Sequence, residues 1–411
     1  MHRLVSAAFA ACLATSAQAN TIEIMHFWVS RSESAALSVF AEHFERDGGR
    51  WIEDPQPNAA TLSEEGFARI REGFPPSAMQ WAVSPDLGDL VTAGITVPLA
   101  EVADPESIAR LAPFILEPLT FDGQIAALPI GLHGNNWSFY NAETMARFGF
   151  SAPTSWGAMF DQMDTIADAG VTTIAIGSGR WELTLVLDAL ALNEGGTPIL
   201  RQIRDGRVSA DARDGLERAF SHLIRYVDLV HRSGLVVDTW DAASLAVAQG
   251  RATVQVMGDW AKGELVAAGF VPQRDFLCSI TPNPQNQLLV TLDAFVLPHS
   301  DLAEDRAAQQ RFAQIALDPV NQAAFAGHKG ALPVVQDVDI TSVDICTQRG
   351  IEAISQERTE IMRVTAGANP AVEAAMQTVI DQVWDQEFKD GAQAVTALEA
   401  LYRIALGEDA N

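Results

Sequence analysis

Short strand-like runs alternate with amphipathic helical runs through the first 130 residues, and that alternation restricts the chain to few architectures. Ile22 to Met25 reads as a strand that ends in His26-Phe27-Trp28. Ser30, Arg31, Ser32 and Glu33 follow, and an amphipathic helix begins after them. "RWIEDPQ" reads as a second strand. "LSEEGFARIREGF" is a helix with Phe67, Ile70 and Phe74 on its apolar face, and "SAMQWAV" is a third strand after the Pro75-Pro76 break. Strands alternating with helices imply a mostly parallel, doubly wound sheet. Such sheets bind ligands beyond the carboxyl ends of their strands. Phe27-Trp28 and Gln80-Trp81 both sit at such ends.

At 411 residues the chain exceeds what a single core normally fills, so about two domains are expected. "QIAALPIGLHGNNWSFYN" reads as a strand, a Pro-Ile-Gly-Leu break and another strand, with no polar linker, which is the sequence form of a crossing between lobes. From about 142 to 292 a second βα-like region follows. In it Thr154 or Ser155 caps a helix, "VTTIAIG" is a strand, and "ASLAVAQGRATVQVMGDWAKGELVAAG" reads as helix, strand, turn, helix. "LLVTLDAFVLPH" is again strand-like, 302–328 is helical, and helix dominates from Ile351 to about Ala405. The expected fold is α/β: two doubly wound lobes joined by a hinge, with the cleft between them. Lobe one takes 20–130 with 293–342, and lobe two takes 131–292 with 343–411.

The first residues, "MHRLVSAAFAACLATSAQAN", combine a short basic start at Arg3, an apolar stretch and the small-x-small signal "AQA". They read as a secretory signal peptide, residues 1–19, cleaved after Ala19. Lipidation at Cys12 is the lesser alternative, because Phe9 stands where a small branched aliphatic is wanted. Beyond residue 20 no apolar run approaches the roughly 20 residues that span a bilayer. The mature protein is therefore expected in the periplasm. Cleavage removes one arginine and no acid, so the formal charge goes from −26 to −27. A field of that sign repels nucleic acid and anionic lipid. Cys278 and Cys346 remain, and an even pair in an oxidising compartment is most simply a disulfide, with two buried thiols as the alternative.

No zinc spacing of the His-Glu-x-x-His type occurs, two cysteines cannot build a four-cysteine site, and no Gly-x-Ser-x-Gly elbow is present. No metal or cofactor is expected. "GSGRW" at 177–181 lacks the spacing of a dinucleotide fingerprint or a phosphate loop. "NWS" at 136–138 matches a glycosylation acceptor inside a strand-like run. What remains is a set of aromatics near strand ends: Phe27, Trp28, Trp81, Trp181 and Trp260. Their stiff, flat rings suit the C–H faces of a pyranose. Glu33, Arg31, Asp293 and Lys329 could bond the hydroxyls with charge-assisted hydrogen bonds. Each residue has a plainer reading as well: a core indole for each tryptophan, a helix-start cap or surface ion pair for Arg31 and Glu33, a helix cap for Asp259. Their convergence on one kind of location favours ligand contact.

With these residues in hand, the chain resembles the carbohydrate-binding proteins of bacterial ABC importers. It is most similar to the glucose/mannose type and more distantly to maltose-binding protein. The resemblance runs through "HFWVSRSE" (26–33), "PPSAMQW" (75–81), "LPIGLHGNNWSFYN" (128–141), "GRATVQVMGDWAKGEL" (250–265), "DFLCSITPNPQNQLLVTLDAFVLP" (275–298), "HKGALPVVQDVD" (328–339) and "DICTQRG" (344–350). It implies a sugar held between two lobes, delivery to an inner-membrane permease, a monomer, and a Cys278–Cys346 disulfide. Trp28 is similar to the family's stacking tryptophan, Glu33 to its hydroxyl-binding carboxylate and Trp260 to the tryptophan of the second lobe. Asp293 and Lys329 are similar to the binding aspartate and lysine, while His133 and Asn136 sit where the chain enters lobe two. Gln80, Trp81, Trp181 and Asp259 complete the expected ligand set.

Departures bear on the ligand. Phe27 replaces the first of two adjacent tryptophans, Trp81-Ala82 stands where a lysine is usual, and "RVTAGANP" (363–370) lacks the family's late histidine. Arg31 stands where small residues are usual. These changes point away from glucose, to a glycoside, an oligosaccharide, or a sugar with an acidic substituent facing Arg31. Two rivals remain: a binding protein for a polyol or other non-sugar solute, and a secreted glycoside hydrolase using Glu33 and Asp293, whose carboxyls must flank one bond.

Overall fold

The computed structural model describes residues 20–83, 87–355 and 369–407. The expected signal peptide, and all of "RVTAGANP" except its last two residues, lie outside them. The first sheet is built around Thr21–His26, with Arg50–Pro55 and Ala78–Ala82 parallel to it on either side. Val290–Val296 then pairs antiparallel with Ala78–Ala82, and Leu128–Gly134 antiparallel with Val290–Val296. The parallel part is the expected βα alternation. Helices Arg31–Arg46, Ala303–Ala316 and Pro319–Lys329 pack together over this sheet. The helical run expected over 302–328 is two helices, with Asp318 capping the second and Pro319 at its first position, where a missing N–H costs nothing.

The second sheet is antiparallel, with Trp137–Asn141 between Val254–Met257 and Phe276–Ile280. The two flanking strands run the same way because helix Trp260–Ala267 carries the chain over between them. A short parallel pair, Ala175–Gly177 with Leu235–Val237, adjoins this sheet through an Ile174–Val254 bridge. A second core of helices, including Trp156–Asp168, Glu182–Arg204, Ala210–Ser233, Pro370–Trp384 and Gly391–Ala405, covers it. Ser155 caps the first of these by accepting from the Ala158 N–H at 3.1 Å.

The chain crosses between the sheets at 135–136 and again over 281–289. A boundary at 130/131 falls inside Leu128–Gly134, which belongs wholly to the first sheet. The two crossings are bonded to each other. Asn135 N donates to Leu289 O at 2.7 Å, Leu289 N donates to Asn136 Oδ1 at 2.7 Å, and Asn136 Nδ2 donates to Gln287 O at 3.1 Å. The cysteines form the Cys278–Cys346 disulfide, which ties strand Phe276–Ile280 to helix Ile345–Ser355. No helix among the described residues is long and apolar enough to cross a membrane.

Candidate ligand-binding site

Phe27 to Ser30 follow the carboxyl end of Thr21–His26, the middle one of the first sheet's three parallel strands, where a doubly wound sheet leaves its crevice. The turn is held from below. Gln80 Oε1 accepts from the Phe27 N–H at 3.0 Å, and His26 Nδ1 accepts from the Trp28 N–H at 3.2 Å. Ser30 then opens helix Arg31–Arg46 with a reciprocal cap: its Oγ accepts from the Glu33 N–H, and Glu33 Oε2 accepts from the Ser30 and Val29 N–H groups, each at 3.0 Å. Sequence S-x-x-E thus does what that spacing is built for. The other oxygen, Oε1, accepts from Lys329 Nζ at 3.1 Å, and that ammonium lies 5.0 Å from the Trp28 ring centroid. Burial would push the Glu33 carboxyl up, but Lys329 above all, with the hydrogen bonds from Ser30, brings it below its usual value.

Trp28 stands edge-on to Phe295 at 6.0 Å and tilted against Phe325 at 5.8 Å, so it is both core and cleft wall. Asp293 lies on Val290–Val296 at an irregularity in register beside Ala294. A local bulge of that kind re-aims a side chain. His133 lies between two carboxylates: Asp259 Oδ1 is 2.8 Å from Nδ1, and Asp293 Oδ2 is 3.4 Å from Nε2. Burial disfavours the imidazolium, and Asp259 reverses the balance, so the His133 pKa is raised.

These residues meet in one cleft of about 550 Å³. It brings together Phe27, Trp28, Glu33, His133, Trp181, Trp260, Asp293 and Lys329. Val29, Ser30, Thr239, Trp240, Asp241 and Thr291 line it as well and were missed. Trp240 had a discoverable signal, a tryptophan beside a helix-capping Thr239 after a short strand; the others carry none beyond their neighbours.

Five expected ligand residues sit elsewhere. Arg31 is exposed at the helix start and does not line the cleft. Trp81 points to the opposite face of its strand from Gln80, as strand alternation requires, and packs on Phe67 at 5.8 Å. Gln80 acts through the Phe27 backbone. Asn136 binds the two crossings together. Asp259 makes no side-chain cap on helix Trp260–Ala267; its carboxylate instead accepts from the Gly134 N–H at 2.7 Å and holds His133.

Trp260 opens the helix that follows strand Val254–Met257 of the second sheet, yet that helix is fastened to the first lobe. Glu264 Oε1 accepts from Ser32 N and Oγ at 3.0 and 2.6 Å. Gly330, left-handed at φ 89°, lies so close that a Cβ there would be 2.3 Å from Asp259 O. Only glycine fits that approach. Buried Lys262 bonds Asp344 at 2.8 Å and also Thr347.

Two sheets, each with its own helical cover, joined by paired crossings around an aromatic cleft, define a two-lobed binding-protein fold. A solved chitin oligosaccharide binding protein shares it with a TM-score of 0.76 and 16% identity, over 96% of this chain and 100% of that one. Residues 55–345 match the family model for bacterial extracellular solute-binding proteins, and this chain belongs to that family. A probable sugar-binding periplasmic protein of Rhizobium meliloti (strain 1021) is 30% identical over 402 residues, covering 95% of this chain and 96% of the relative. An uncharacterised ABC transporter extracellular-binding protein of Pyrococcus horikoshii is 24% identical over 375 residues, covering 89% and 83%.

Proposed function

We propose that this protein is the periplasmic carbohydrate-binding component of an ABC importer, which captures a sugar in the aromatic cleft and delivers it to a permease without chemical change. The observation that carries this is the cleft itself. Phe27, Trp28, Trp181, Trp240 and Trp260 supply flat apolar faces, and Glu33, Asp241, Asp293, His133 and Lys329 stand among them, the mixture that a ring with hydroxyls on its rim needs. The relatives named as sugar-binding and as ABC transporter components support the same reading. A monomer is the working state.

The lobes are best divided at the crossings 135–136 and 281–289, with the C-terminal helices Pro370–Trp384 and Gly391–Ala405 belonging again to the second. Glu33, Asp293, Lys329, His133 and, through Glu264 and Gly330, Trp260 then form one half of the site before ligand arrives. Hinge closure brings Trp181 and Thr239–Asp241 onto the ligand, a population shift between open and closed forms. A general-acid role for Glu33 finds no support, since a general acid needs a raised pKa and the Glu33 carboxyl is held low. Arg31 lies off the cleft, so it gives no reason to prefer a sugar with an acidic substituent.

Calorimetry across glucose, galactose, xylobiose, chitobiose, maltotriose and raffinose tests this. Binding of at least one, with compaction by small-angle scattering, is the expected result. Polyol binding with no sugar binding would overturn it, and so would turnover of a chromogenic glycoside.

A further inference from the structure

Behind the second-lobe wall of the cleft lies a buried carboxyl that sugar contact does not use. Trp181 and Trp240 line the cleft from the starts of helices Glu182–Arg204 and Trp240–Ala248, while Glu182 turns inward and is 1% exposed. Its Oε1 accepts from the Gly177 N–H at 2.8 Å, and its Oε2 lies 3.5 Å from Gln255 Nε2. Gln255 Nε2 in turn donates to Trp240 O at 3.0 Å. Ser244 Oγ lies 2.7 Å from Gln255 Oε1 and 3.0 Å from Trp240 O. Gly177 is required for this: a Cβ there would stand 2.3 Å from Glu182 Oε1 and 2.9 Å from Trp240 N. The "GSGRW" turn, too irregular for a phosphate loop, is thus shaped around a carboxyl.

One side chain therefore joins the turn that presents Trp181, the helix start that presents Trp240, and strand Val254–Met257. No basic side chain forms an ion pair with it among the described residues. The titratable groups that bear on it are Asp241 on helix Trp240–Ala248 and Tyr226 on helix Ala210–Ser233. Burial raises the carboxyl and Asp241 adds to that, while the Gly177 and Gln255 hydrogen bonds oppose them; the pKa is pushed up to about 7.

We propose that Glu182 is a positioning residue for the Trp181–Trp240 wall, and that its proton sets how firmly the wall holds ligand. This rests on the cleft being the ligand site. Ligand covering the wall lowers the polarity of the surroundings of Glu182 and favours its neutral form further. Binding then takes up a proton. Affinity is full below the free-state pKa and falls as pH rises through the bound-state one, by about tenfold for each unit between the two.

Two arms test it. In ligand-free protein, tryptophan emission should shift with a midpoint near 7; Glu182→Gln should lose that transition and Trp181→Phe should shrink it. Gly177→Ala, which displaces the carboxyl and also crowds the Trp240 backbone, should lose or move the transition and serves if Glu182→Gln folds poorly. In the second arm, the tightest-binding sugar of the panel should lose about threefold or more in affinity from about pH 6 to about pH 8, and Glu182→Gln should flatten that loss. A wild-type pH profile retained by both variants would overturn the proposal. Absence of any sugar binding would instead sink the cleft assignment, with the emission arm still deciding whether Glu182 positions the wall.

Discussion

Lys329→Met isolates the charge pair at the centre of the cleft. The Lys329 side chain is 4% exposed and its partner Glu33 is 14% exposed. Removing the ammonium strands Glu33 Oε1 in a dry site and deletes the cation above Trp28. Breaking one side of a buried pair costs about 3–5 kcal/mol. Glu33 Oε2 keeps its two backbone N–H donors, which places the expected loss near the lower end, about 3 kcal/mol. The pH dependence gives the sharper check. In the wild type the Glu33 pKa lies below its unfolded value, so its contribution is full above that unfolded value and fades as pH falls through the folded one. In Lys329→Met burial acts without its main opponent and the folded pKa rises. The penalty of the variant is then present at neutral pH and shrinks as the carboxylate protonates. Urea unfolding followed by circular dichroism should show a gap between the proteins that is largest near about pH 7 and narrows toward about pH 4. Adding Glu33→Gln should recover most of the loss, a coupling seen in the double-mutant cycle. A gap under about 0.5 kcal/mol at neutral pH, or one that does not change with pH, would refute the reasoning.

Trp28→Phe should keep the fold and weaken sugar binding, whereas Trp28→Ala should also cost about 3–5 kcal/mol in urea unfolding because Phe295 and Phe325 lose their neighbour. Reducing Cys278–Cys346, which closes a loop with a separation of 68 residues, should lower stability by about 4 kcal/mol; an unchanged urea midpoint under reductant would contradict it. Asn136→Ala leaves the Leu289 N–H without its acceptor and should cost about 1–3 kcal/mol, with scattering profiles that no longer tighten on adding ligand; normal closure would show that the crossings do not need this bond.

Much of the first lobe was legible because its signals are local. The period of the strands and the helix-start role open to Glu33 are set within a few residues of chain; the break before Pro319 is just as local, yet 302–328 read as one helical run. Trp28, Glu33, Asp293 and Lys329 were legible as chemistry by resemblance and by their place at strand ends. Their partnership was not, since Glu33 and Lys329 are far apart in sequence and meet only because helices Arg31–Arg46 and Pro319–Lys329 pack together. Trp81 shows the limit from the other side. It has the right type and the right neighbours, yet one position along a strand reverses the face, and only Phe67 across the core reveals which face is buried.

By itself the sequence determined that this chain folds as two α/β lobes, that its first residues read as an export signal, that its two later cysteines suit one bridge, and that aromatics gather at strand ends. Those follow from periodicity and residue chemistry, which are properties of neighbours along the chain. The tertiary structure alone decided that Asn136 binds the crossings and does not line the cleft, that Arg31 lies off the cleft, that the Trp260 helix is fastened to the first lobe, and that Glu182 is buried beneath the second wall. Each depends on the direction in which a side chain is buried and on what it meets there, and those are set by packing between segments that the sequence keeps far apart.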